Sequence, residues 1–377
     1  MIKRVTAHKI YDAKFDNWQS EVHDKWTYDD FIAAPKYKKE WVSVTSLLSY
    51  EKTRSIFLGI GSFSAELLWR FDRDTGKITS MGYEKVADKY DAKFHRSMEL
   101  DGDVLYAAPA LFHDPDKQFE APGARVIAYD IPSGKFEFLG LPAPKVYAQS
   151  IALDKKRKII YGFGLFPEVF WSFDLKTRES KQIAFLGSSF ELGQSHNPVI
   201  DAKGRVWGTY GIIRAFAYQT GPDSIRLFCY DPDNGHMEFY KHGLPGLHSD
   251  DKGKADTAHS DPDGYIYFGT TEGCLARLDP ETAVVTPLWH KDGCRRLAGL
   301  VRHPDGLLYG TVGEHEMMSV FAFDTKTDKL VWEAPICDEA GQSPVRIHHL
   351  IVTQDGRLFG GENDNNVRSS YLWEIEV

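Results

Sequence analysis

Residues 148–164, AQSIALDKKRKIIYGFG, decide the fold: a short apolar strand, a charged turn, and a second apolar strand that ends in Gly. The same phrase recurs as HRSMELDGDVLYAA (95–108), SHNPVIDAKGRVWGTYG (195–211), DTAHSDPDGYIYFGTT (256–271), LAGLVRHPDGLLYGTVG (297–313) and IHHLIVTQDGRLFGG (347–361), with a degenerate copy, VTSLLSYEKTRSIFLGIG, at 44–61. Most copies are followed by apolar–x–apolar–Asp, a turn and one more strand, as in LLWRFDRDTGKITSM (67–81), FWSFDLKTRESKQI (170–183) and VFAFDTKTDKLVWE (320–333). Period-two alternation broken by Asp-led turns marks antiparallel hairpins. Four strands in a unit of roughly 35–55 residues is one blade of a β-propeller.

Blades at about 43–85, 92–142, 146–188, 193–244, 254–290, 294–336 and 345–377 give an all-β, seven-bladed propeller of four-stranded antiparallel blades, one domain over residues 1–377. The last blade ends in SSYLWEIEV, a third strand with little room for a fourth. The N-terminal VTAHKIYD is expected to supply that strand and close the ring, which removes the open sheet edge of a linear array. Residues 11–42, rich in Trp, Tyr and Lys, then cross a face before the first blade.

Composition excludes several classes. A hydrophobic content of 42% with 13% aromatic residues suffices for a large core. The net charge of -9 and the absence of a basic stripe argue against nucleic acid as partner, although a locally cationic pocket can still hold an anion. Cys229, Cys274, Cys294 and Cys337 have no CxxC spacing, so neither a zinc–thiolate site nor a disulfide framework is expected. The N-terminus carries no apolar signal-peptide core, and no apolar run approaches the ~20 residues of a membrane helix. As written, the expectation is a soluble cytoplasmic chain with no membrane partner, or a periplasmic or secreted one if a leader was removed.

In a propeller the innermost strands all start at one face, and the loops between second and third strands open there too. Registering the copies on the last apolar residue before the turn aligns Ser46, Arg96, Gln149, His196, Asp256, Leu297 and His348 around the ring, give or take one residue. One position later stand Ser97, Ser150, Asn197, Thr257 and His349, and one earlier His95, Ser195 and Arg296. The loops add His113, Tyr210, Arg214, His315, Glu362 and Asp364. So many polar side chains on one side of a ring are tolerated only if wet, ligand-filled or fully bonded, and water with interlocking side chains fills many propeller channels.

Arg96, Arg296 and Arg346 offer bidentate forks for a carboxylate. His95, His113, His196, His348 and His349 can serve as acid or base near neutrality. A phenol such as Tyr210, beside cations, can have its pKa lowered enough to shuttle protons. Arg, His and Tyr around an anion suit β-elimination from a uronic acid: the carboxylate is neutralised, a base takes the C5 proton, and an acid protonates the departing O4. The carboxylate pair of ordinary glycoside hydrolysis is missing, since Asp256 stands nearly alone. No G-x-S-x-G element or P-loop is present. Alternatively, Gln149, His196, Asp256 and His348 offer N and O ligands to a divalent ion (Ca, Mn or Zn) in the central channel. Trp26, Tyr28, Phe31, Phe112 and Phe166 could stack on sugar rings, but blade-to-blade core is the commoner use of such residues. The tract ENDNN (362–366) reads as a solvated loop.

The phrases HRSMEL, SHNPVIDAKGRVWGTYG and RIHHLIVTQDGRLFGGENDN resemble the seven-bladed propeller polysaccharide lyases, among them ulvan lyases and rhamnose–glucuronate lyases, with their kin the propeller α-L-rhamnosidases. The Gln149, His196 and His348 set is more faintly similar to the oligogalacturonate lyases, propellers that carry a divalent metal on His and Gln. The resemblance implies a uronate-containing oligosaccharide or polysaccharide as partner. It implies His95 as a catalytic residue, Tyr210 or His196 sharing proton transfer, and Arg96 or Arg346 on the carboxylate. Further substrate contacts are expected from His113, Gln149, Asn197, Arg214, Arg296 and His349. Two other functions fit the same ring: a metal-dependent hydrolase, glycosidase or lactonase, and a non-catalytic binding scaffold.

Overall fold

The computed structural model describes residues 1–16, 25–111, 119–165, 167–187, 193, 197–213, 224–245 and 253–377. Seven antiparallel sheets follow one another along the chain, each built on a four-stranded meander. Their innermost strands are Val42–Tyr50, Met98–Asp101, Tyr147–Asp154, Val199–Ile200, Ala255–Ser260, Leu297–Arg302 and Ile347–Val352. Each touches the next in turn, and the last touches the first, so these strands ring a common axis. The architecture is a seven-bladed β-propeller.

Closure is made by the N-terminus. Strand Arg4–His8 pairs antiparallel with Leu372–Glu376, in a register that sets Val5 opposite Ile375 and Ala7 opposite Trp373. Blade 7 thus takes its outermost strand from the start of the chain, and the ends are locked together.

The core is divided among the interfaces. Seven hydrophobic clusters lie one in each interface between neighbouring blades, from Tyr50, Phe57, Met98 and Tyr129 between blades 1 and 2 to Val44, Phe71, Phe359 and Leu372 between blades 7 and 1. The Gly inside the repeated second strand is a consequence of this packing. A Cβ on Gly162 would lie 2.0 Å from the Trp171 indole, so only Gly lets that ring lie across the strand. The Asp that ends each third strand also has a structural task. Asp72, Asp174, Asp231, Asp279 and Asp324 each accept a main-chain N–H two residues on, which folds the turn into the fourth strand.

One expectation needs correction. Residues near 92 were expected to open blade 2, but Asp91–Lys93 joins the blade 1 sheet, with Lys93 opposite Gly61, and is joined in turn by Ala110–Leu111. Blade 2 proper begins at Met98. The described aromatics of the excursion before blade 1 pack as core, the commoner use expected of them, and are not held open for sugars. Phe15, Phe31, Trp41 and Phe63 form a buried cluster, with Phe31 stacked on Phe63 at 4.6 Å and Trp26 5.1 Å from Phe31. Phe112 and Phe166 lie outside the described residues.

Removing residues 1–9 leaves the edge of blade 7 unpaired and uncovers the buried Trp373 side of the sheet. The melting temperature measured by calorimetry should fall by several degrees or more; an unchanged value would contradict closure by this strand.

A cationic cluster at the propeller axis

The site grows from a repeated irregularity of the backbone. The innermost strands of blades 1, 3, 5, 6 and 7 each carry a bulge, between Val44 and Ser46, Ala148 and Ser150, Ala255 and Thr257, Leu297 and Gly299, and Ile347 and His349. The extra residue left out of the ladder is Thr45, Gln149, Asp256, Ala298 or His348. In blade 2 the equivalent residue is Arg96, in the left-handed region at φ 46°. In blade 4 it is His196, which lies outside the described residues. The bulges therefore correct the ring by one position twice. Ser46 and Leu297 are ladder residues facing Gly59 and Val312, and Thr45 and Ala298 take their places.

A bulge turns main-chain carbonyls away from the sheet, and a buried carbonyl needs a donor. The His95–Arg96 pair supplies three of them. Arg96 Nη2 donates to the carbonyls of Ala298, at 3.0 Å, and His348. His95 Nδ1 lies 2.8 Å from the Gln149 carbonyl. That carbonyl can only accept, so the proton sits on Nδ1, and in the neutral ring Nε2 is the acceptor nitrogen. The His348 ring meets His95 edge-on at 4.6 Å.

Around this floor gather the charges. Asp256, fully buried, holds Arg296 in a fork of two 2.7 Å bonds, from Nε and from Nη2, and lies 3.6 Å from Arg96. Arg346 bonds Asp364 at 2.9 Å and pairs with Glu314 at 2.5 Å. Four residues here, Arg96, Arg296, His315 and Asp364, have positive φ without being Gly. Such strained backbone persists where the surroundings over-determine it. Arg96 Nε and Nη1 have no hydrogen-bond partner among the described residues, although the side chain is only 2% exposed.

Lys93, absent from the ring register, is the residue that sequence reasoning missed. It faces Asp364, Arg296, Arg96 and Arg346, and burial together with those guanidinium groups brings its ammonium down to about 8. Burial lowers Arg96 to about 10, against the pull of Asp256. Burial opposes the charge on Arg296 too, yet Asp256 raises it above the ordinary value. Burial, with Arg96, His95, Lys93 and Arg296, holds His348 well below the usual histidine range. Within the described cluster, Lys93, Arg96, Arg296 and Arg346 oppose Asp256, Glu314 and Asp364, four cations against three anions in a chain of net charge -9.

Other sequence candidates are placed elsewhere or differently. The Tyr210 hydroxyl donates to the Tyr240 carbonyl at 2.9 Å, beyond the outermost strand of blade 4, and its ring packs on Phe239. It is not part of the axial cluster, because the side chain at this strand end points along the blade and not to its inner edge. His349 Nδ1 accepts the Leu47 N–H at 2.9 Å and so staples blade 7 to blade 1. Gln149 is buried, and its carbonyl serves His95. Asn197 is half-buried at the position after His196. ENDNN is no solvated loop: Glu362, Asn363 and Asn365 are buried, and Glu362 accepts from Val345, Asn365, Arg368, Tyr371 and Trp373. His113, His196 and Arg214 lie outside the described residues.

A divalent ion does not fit the described part of the expected ligand set. Asp256 is bound on both oxygens by Arg296, and besides the burial that lowers His348, the neighbouring cations that disfavour a proton there also disfavour a metal. Among the described residues no group of three or more His, Cys, Asp or Glu side chains is placed to hold one.

No family model matches the chain, and no curated protein matches it. Solved structures similar to it include the extracellular domain of a protein from B. thetaiotaomicron described as a one component system, at 14% identity and TM-score 0.59, over 89% of this chain and 38% of that one. A streptogramin B lyase aligns at 11% identity and TM-score 0.62, over 89% and 93%. The extracellular domain of a hybrid two component system from B. thetaiotaomicron aligns at 12% identity and TM-score 0.57, over 89% and 40%. The chain thus spans about two-fifths of the two B. thetaiotaomicron chains and most of the streptogramin B lyase. At these identities the likeness is one of fold, the seven-bladed propeller. Among the described residues no helix is long and apolar enough to cross a membrane.

Two outcomes follow from the electrostatics. Asp256→Asn removes the buried anion from between two guanidinium groups and should cost about 3–5 kcal/mol in urea unfolding; a loss under about 1 kcal/mol would contradict the arrangement. His349, lowered to about 3 by burial and Arg96, stays neutral in the fold while the unfolded chain titrates near ~6.5. Between those values the unfolded state binds the extra proton, so stability is lost as pH falls from about 6.5 toward 3. His349→Asn should reduce that slope by up to about 1.4 kcal/mol per pH unit, read from urea unfolding at pH 7, 6, 5 and 4. An unchanged slope would contradict the buried neutral ring.

Proposed function

We propose that the chain is a carbohydrate-active lyase that cleaves a glycosidic bond to a uronic acid by β-elimination. The observation that carries this reading is the convergence of Lys93, Arg96, Arg296 and Arg346 at the axis of an acidic chain, with two nitrogens of Arg96 lacking partners among the described residues. Such a cluster favours an anion of the size of a carboxylate. Arg96 forms the floor, fixed by the bulge carbonyls, while Arg296 and Arg346, about one-fifth exposed, are the reachable groups above it. Cations already in place around a uronate carboxylate stabilise the negative charge that spreads onto it as C5 loses its proton. Departure of the C4 oxygen then leaves an unsaturated sugar. Proton transfer needs a neutral acceptor in this field. One fold neighbour is named a lyase, which agrees with this reaction class.

A second reading, a carboxylate-binding module without chemistry, is favoured by one observation: His95 and Arg96 both engage main-chain carbonyls and so hold the ring together. One assay separates the two. With ulvan, gum-arabic side chains or oligogalacturonate as substrate, the lyase reading expects growth of the ultraviolet absorbance of an unsaturated uronate, and Arg346→Met should lower kcat/KM by about 100-fold. Saturable binding of these substrates with no absorbance change would favour the binding module. Neither binding nor turnover across the panel would overturn both.

A further inference from the structure

Lys93 has a combination of properties that no packing role explains. It stands between Ala92 and Phe94, both buried, so strand alternation turns it away from the core. Its strand is held against Gly61 of blade 1, and its Cγ lies over the same face of Gly61 as the Ser43 side chain of the innermost strand. Its amine makes no hydrogen bond or ion pair with any described residue. The carboxylate that faces it, Asp364, already accepts from Arg346 Nη1 and from Asn363 Nδ2, each at 2.9 Å. Arg296 from blade 6, Arg96 from blade 2, and Arg346 and His348 from blade 7 also act on it, with Glu314 held beyond Arg346 and Tyr147 within reach of Asp364. A lysine placed among guanidinium groups without a carboxylate of its own gives up its proton more readily than an exposed one, and the free amine so formed has a lone pair to offer.

From this geometry we infer that Lys93 is the base of the site, taking the C5 proton of the bound uronate. The inference rests on the uronate reading above. His95 is less suited to that contact: it is 5% exposed, and its ring lies against His348. Lys93 is partly exposed and has a flexible stem that can reach a sugar carbon. In the step, the Nζ lone pair takes the proton from C5, and the C5–H electron pair becomes the C4=C5 double bond. The C4–O4 bond breaks with its pair on oxygen, and the proton on Lys93 passes to that oxygen, which returns the free amine. His95 is then a positioning residue that holds the Gln149 bulge.

Competitive acetylation of the whole chain across pH 6–11, read lysine by lysine by mass spectrometry, tests the amine independently of turnover. Lys93 should label with a midpoint near 8 and be protected by glucuronate, whereas a free lysine-containing peptide labelled alongside should show the ordinary midpoint of about 10.4. In the absorbance assay, kcat/KM should rise about tenfold per pH unit and level off above about 8. Lys93→Met and Lys93→Arg should each lose about 1,000-fold in kcat, the Arg variant while still binding the uronate. An ordinary labelling midpoint, or a Lys93→Met variant within about threefold of the parent, would overturn this inference alone. A parent chain that forms no unsaturated product from any uronate substrate would overturn it together with the uronate reading.

Discussion

The arrangement at the axis depends on main-chain carbonyls that the propeller cannot satisfy within its own sheets. Five innermost strands bulge at the same point, and each bulge leaves a residue out of the ladder. Of the carbonyls displaced, those of Gln149, Ala298 and His348 are met by two consecutive side chains of blade 2, His95 and Arg96. That requirement puts a guanidinium at the centre of the ring, and everything charged nearby is arranged around it. Asp256, itself a bulge residue, answers Arg96 and Arg296 together. Removing either arginine would leave a buried carboxylate short of a partner, a situation that costs far more than the pair returns in stability.

One consequence is electrostatic. The chain is acidic as a whole, yet the described side chains at its axis carry one more cation than anion. A low-dielectric channel magnifies that imbalance. Burial together with the same field keeps His348 neutral, weakens the case for a metal, and loosens the proton on Lys93. On the reading proposed above, anion binding and proton acceptance are two effects of one arrangement.

Much of this was legible in the sequence, and what was not has physical causes. The repeat gave the blades because each interface needs the same apolar positions, and the third-strand Asp was visible because each turn needs its carboxylate. Register picked out Arg96, Gln149, Asp256 and His348 because bulge residues fall at a fixed distance from the first turn. It missed by one at Thr45 and Ala298, since a small apolar or hydroxyl side chain gives no sign of being left out of a ladder. Lys93 escaped because its strand belongs in space to blade 1 and in sequence to the approach to blade 2. Tyr210 looked functional by type and place, and Glu362 looked solvated because its neighbours are polar. Only the coordinates show one hydroxyl turned to the outer strand and one carboxylate enclosed by five donor residues.

The most direct measurement is a crystal structure of the chain soaked with a glucuronate-bearing disaccharide at a pH below 7, where Lys93 is protonated and turnover is slow. The account predicts the carboxylate at the axis, within hydrogen-bond distance of Arg296 or Arg346, with Lys93 Nζ facing C5. A sugar bound on the outer rim of the blades, or a carboxylate turned away from these side chains, would contradict it.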